Sequence, residues 1–144
     1  MIEAAMRGFA RAFCDALALQ EPQRIAPFLH DEVDLIGFGP IDLFPFLGQR
    51  HGAADVVALC GDIAATMEFD GFHAESVIVS GNQAAALVRL NATHRFTKRK
   101  LSLRVAQFAE FRDGKLISLR AIFDSFDAAE QMLGREIDLS GALG

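Results

Sequence analysis

The 144 residues carry a net charge of −5, with 51% hydrophobic and 23% charged side chains, which excludes a disordered chain and fits one domain with one core. An acidic chain offers phosphates no basic face, so nucleic acid is not expected as a partner. Thirteen phenylalanines stand beside no tyrosine, so no phenol is available as a proton donor.

Residues 2–19 follow a helical period, with Ile2, Ala5, Met6, Phe9, Phe13, Ala16 and Leu17 on one stripe. Pro22 suits the first turn of a second helix, which Pro27 keeps short. VDLIGF, 33–38, reads as a short strand. Gly39-Pro40, Pro45, Gly48 and Gly52 mark 39–52 as a loop, but one so rich in large apolar groups that it must cover something. A third helix is predicted over 53–67. The period then changes to two: 72–80 and 83–96 form one hairpin, 101–111 and 116–124 another, the second turning at Asp113-Gly114. A last helix over 125–133 stops at Gly134. The expected organisation is a single domain over 1–134, followed by a weakly patterned tail, 135–144.

Cys14 and Cys60 fall in helical patterns and read as buried thiols. The N-terminus lacks the apolar core of a signal peptide, and no apolar run nears the roughly 20 residues that span a bilayer, so a cytoplasmic protein with no membrane contact is expected. HRFTKRK, 94–100, is one basic cluster and reads as a solvated turn.

Successive hairpins make an antiparallel sheet that must bury one face, and the N-terminal helices are its cover. The expected fold is α+β, a curved sheet wrapped around helices as a cone. This order resembles the nuclear transport factor 2-like superfamily, and within it the SnoaL-like proteins and ketosteroid-isomerase relatives. PFLGQRHGAADVVAL at 45–59, VSGNQAAALV at 79–88 and FRDGKLISLRAIFD at 111–124 carry the resemblance. It implies a homodimer, no cofactor, and a pocket for a small apolar or carbonyl-containing molecule.

On the strand LISLRAIFD, alternation puts Leu116, Ser118, Arg120, Ile122 and Asp124 on one face and Ile117, Leu119, Ala121 and Phe123 on the other. The resemblance implies that the Asp124 face points into the cone, leaving the second, wholly apolar face for a dimer partner. In SnoaL-like cyclases an aspartate at this place is the general acid/base, and an apolar cone would raise its pKa toward neutrality. Asp124 reads equally as the N-cap of the last helix, with Ser125 as an alternative cap. Arg89 and Asn91 share a strand face where relatives similar to limonene epoxide hydrolase carry Arg-x-Asp; an amide at Asn91 cannot supply that mechanism's proton. The ketosteroid-isomerase mechanism lacks its phenol, and Phe9 and Phe13 occupy the helix that would provide it. The pocket is expected to draw on Phe38, Phe46, His51, Arg120 and Ile122. The four histidines, including His73 and His94 on strands, show no metal-binding spacing, so no metal is predicted. Three functions stay open: a small-molecule-binding module, a cofactor-free isomerase, cyclase or epoxide-hydrolase-like enzyme using Asp124, and a dimerising domain whose cone is filled by its own side chains.

Overall fold

The computed structural model describes residues 2–143. Helix α1 spans Ile2–Ala18 and buries Ala12, Ala16 and Leu17. A 3₁₀ turn, Pro22–Phe28, follows; Pro27 removes a backbone donor there, which explains why no regular α-helix forms. Then come strand β1 (Leu29–Phe38), strand β2 (Gly48–His51) and helix α2 (Ala53–Thr66). Strands β3 (Met67–Ser80), β4 (Gln83–His94), β5 (Lys100–Arg112) and β6 (Lys115–Phe123) form a meander, followed by helix α3 (Ser125–Leu133) and a short α4 (Ser140–Leu143).

The architecture is the expected α+β cone, with three departures in detail. β1 starts four residues earlier than its hydrophobic run, and β3 five residues earlier, because α2 passes into β3 without a loop: Met67 is already extended at φ −122°. The 39–52 segment contains the edge strand β2. The sheet has six strands in the order β2-β1-β6-β5-β4-β3. β1 pairs in parallel with β6, bringing Phe38 opposite Ile122, and this long-range pairing joins the N-terminal part to the meander.

Local chemistry accounts for the turns. Asp113 and Gly114 both take positive φ, 54° and 74°, the signature of a type I′ hairpin turn. Gly134 closes α3 in the left-handed region at φ 71°, its N–H donating to the Gln131 and Glu130 carbonyls.

Two apolar clusters hold the layers together. One joins α1, the 3₁₀ turn and α2 to the sheet through Ala16, Ile25, Leu29, Val33, Cys60 and Leu116. Burial pushes the Cys60 thiol up to about 11, so it stays protonated at neutral pH. The other joins the 39–47 segment and α3 to the sheet through Phe44, Met67, Ala92, Leu101 and Ala128.

Candidate functional site

A cavity of about 160 Å³ lies between the two clusters and borrows its walls from both. Leu59 and Ile63 of α2 and Phe13 of α1 form the helical wall. Phe44, Phe46 and Leu47 close it from the 39–47 segment. Phe44 packs edge-on against Phe123, ring centroids 6.1 Å apart and planes at 83°. The apolar loop therefore does cover something: it is one wall of the cavity.

The sheet forms the floor. Leu35 and Gly37 of β1, Leu119, Ala121 and Phe123 of β6, Leu101, Leu103, Val105 and Gln107 of β5, and Leu90 and Ala92 of β4 all face inward. Among the described residues, no titratable side chain lines the cavity, and Gln107 is the single polar one. Gln131, a carboxamide outside the cavity, is fully engaged: it accepts the Ser102 N–H at 2.7 Å and donates to the Ser102 carbonyl and the Asp127 carboxylate.

This lining corrects the expected facing of β6. Leu119, Ala121 and Phe123 point into the cone, while Arg120 and Ile122 point out. The cause is a bulge. Phe111 pairs with Leu116, but Glu110 pairs with Ser118, so Ile117 is an extra residue that reverses the alternation. Leu116, fully buried, and Leu119 thus both lie on the inner side although three residues apart.

Of the residues expected to form the site, Asp124, Arg89, Asn91, Phe38, Phe46, His51, Arg120 and Ile122, Phe46 alone lines the cavity. Asp124 is exposed and is the N-cap of α3: its Oδ1 accepts the Asp127 N–H at 3.1 Å. Ser125 takes the first helical position instead. Arg89 lies on the outer sheet face, where Nη1 donates to Ser102 Oγ at 2.9 Å and Nε lies 3.8 Å from Glu75. Arg89, Ile122 and Asp124 do come together, with Arg104 and Asp127, around an outer groove of about 430 Å³. Asn91 is exposed in a separate hollow beside Asp70 and Lys100. Arg120 lines a third, with Phe108 and Ile78. Phe38, 46% exposed, stands on the outer face opposite Ile122. His51, on the sheet edge, lies 3.5 Å from Glu32 and 3.8 Å from Asp34. These placements follow from the same alternation: on β4 the inward phase is Val88, Leu90 and Ala92, which turns Arg89 and Asn91 outward.

On the outer face, Arg104 donates to both Glu75 oxygens, at 2.8 and 3.3 Å. That hydrogen-bonded guanidinium holds the Glu75 carboxyl below its ordinary range, with Arg89 and His73 adding to the effect. Among the described residues, no three His, Cys, Asp or Glu side chains cluster as a metal site.

The family model of the SnoaL-like domain matches residues 10–119. The chain belongs to this family. No curated protein matches the sequence. Among solved structures, this SnoaL-like chain is similar to a candidate isomerase from Rhodopseudomonas palustris, at 39% identity over 91% of this chain and 97% of the other, with a TM-score of 0.87. An epoxide hydrolase from M. tuberculosis similar to limonene epoxide hydrolase shares the fold at 17% identity, with 90% of each chain covered and a TM-score of 0.70. A candidate SnoaL-like polyketide cyclase from Mesorhizobium loti does so at 18% identity, covering 81% of this chain and 97% of the other, with a TM-score of 0.59. Among the described residues of the present domain, no helix is long and apolar enough to cross a membrane.

Proposed function

We propose that this SnoaL-like domain binds one small, neutral, apolar molecule inside the cone. The cavity carries the reading: about 160 Å³ walled by Phe13, Phe44, Phe46, Phe69, Phe72 and Phe123 together with aliphatic side chains. Apolar cavities of about 150 Å³ stay dry and admit benzene. An ionised ligand would lose its hydration and meet no opposite charge, a cost of several kcal/mol. The test is titration with toluene, followed by calorimetry and thermal unfolding. Toluene at ten times its Kd should stabilise the fold by about 1.4 kcal/mol. Ala121→Leu, which fills the floor, should abolish the effect. Absence of any shift up to the solubility limit would remove the binding reading and favour a cone filled by its own side chains.

Acid/base catalysis by Asp124 with Arg89 and Asn91 has less support. The Asp124 carboxylate is exposed and engaged with the α3 backbone, outside the apolar cavity. Such a reaction would belong to the outer groove that Asp124 and Arg89 share, which Asn91 does not line, and not to the cavity.

A second copy of this chain is the natural cover for the outer sheet face. Pairing across the sheet aligns Phe38, Ile122, Ala106 and Leu87 in one row and Arg120, Phe108, Ala85 and Ile78 in the next. Phe108 and Ile78 are 51% and 66% exposed. A patch of this kind, rimmed by the Arg89–Glu75–Arg104 ion pairs, suits a self-complementary two-fold contact. Sedimentation equilibrium should give a dimer mass; a monomer at high micromolar concentration would exclude it.

A further inference from the structure

The geometry points to Gln107 as the hydrogen-bonding handle of the cavity, and hence to a ligand class: a neutral molecule of about one ring that carries a single hydroxyl or carbonyl oxygen. This rests on the proposed binding in the cone and says which molecules it selects.

Gln107 sits midway along β5 on the inward phase, between Val105 and Ala109. Its cross-strand partners are Ala86 on β4 and Ala121 on β6, and beyond Ala121 comes Gly37 on β1. This row holds only small side chains on either side of the carboxamide. Leu47 packs over Gly37 closely enough that a Cβ there would meet its Cδ2 at 2.9 Å, so the free space lies over Ala121 and Gln107 and not at the β1 end.

The half-buried carboxamide has two donor hydrogens and an acceptor oxygen, and no described residue pairs with its side chain, whereas Gln20 and Gln131 are both bonded. A ligand that fills the cavity displaces water from Gln107. A hydrocarbon would leave the amide unpaired, which costs free energy, whereas a hydroxyl or carbonyl oxygen restores a partner. An amide carries no charge, so it cannot offset the desolvation of a carboxylate. The selection is therefore for one neutral polar atom on an otherwise apolar body.

Toluene, phenol and benzoate are nearly the same size and separate these cases. Calorimetry at pH 7 on the wild type and on Gln107→Met, an apolar replacement of similar length, reads the selection. The ratio of phenol to toluene affinity should fall about fivefold in the variant, the effect of one neutral hydrogen bond, and benzoate should bind neither protein. In the wild type, the Gln107 side-chain amide NMR signals should move on adding phenol and far less on adding toluene, a readout independent of how the variant folds. An unchanged ratio with unmoved amide signals, while toluene still binds, would overturn the role of Gln107 and leave the cavity reading intact. Benzoate binding as tightly as phenol would overturn the ligand class. Failure of every probe to bind the wild type would overturn the cavity reading, and this inference with it.

Discussion

Asp124 shows how one side chain's role depends on a single position of backbone. Its carboxylate accepts the Asp127 N–H and so satisfies one of the donors that the first turn of α3 leaves free. Asp127 places a second carboxylate in that first turn, where the helix dipole favours it. Asp124→Ala should therefore destabilise the fold by about 1 kcal/mol in urea denaturation, while Asp124→Asn, also a good cap, should keep most of that stability. Equal losses for the two variants would contradict the capping role. The sequence offered Asp124 and Ser125 as rival caps; the end of β6 at Phe123 decides between them. Gln107 was legible in a different way. It is the one polar residue in the inward set Leu101, Leu103, Val105, Gln107, Ala109, Phe111, and that interruption of an apolar period was the available signal.

At the scale of elements, bulges decide what the sheet presents. The extra residue Ile117 reverses β6, and strict alternation cannot reveal a reversal whose cause is a pairing register with β5. In β3 the register shifts between Ala74 and Ser76, and the intervening residue, Glu75, reaches two arginines that face each other across β4 and β5, Arg89 and Arg104. Two like charges directly opposed destabilise a strand pair unless a counter-charge intervenes. Because the Glu75 carboxyl is held below its ordinary value of 4.5, its contribution is present above that value and fades as the pH falls through the lowered one. Glu75→Gln should thus lower Tm at pH 7, and the gap from wild type should close as the pH drops toward 3. A gap of constant size across that range would show that the carboxylate's charge is not what holds the bulge.

The whole molecule has two apolar surfaces on opposite sides of one sheet: a walled cavity within and an exposed patch without. If the patch is a homodimer contact, Phe108→Asp at its centre should shift sedimentation to the monomer mass. It should leave toluene binding unchanged, because Phe108 and the cavity are on different faces. Loss of ligand binding together with the dimer would mean that the two faces are coupled through the sheet.

Hydrophobic period, Pro and Gly punctuation and the Asp-Gly turn are local properties, so the sequence by itself determined the helices, the meander, the cone and the family resemblance. It could not determine which face of β6 or β4 looks inward. Facing depends on register against strands far along the chain, and one bulge inverts it. For that reason the polar residues that look most like chemistry, Asp124, Arg89, Asn91 and Arg120, lie outside the cone. The inner surface was left to Gln107 and a wall of phenylalanines.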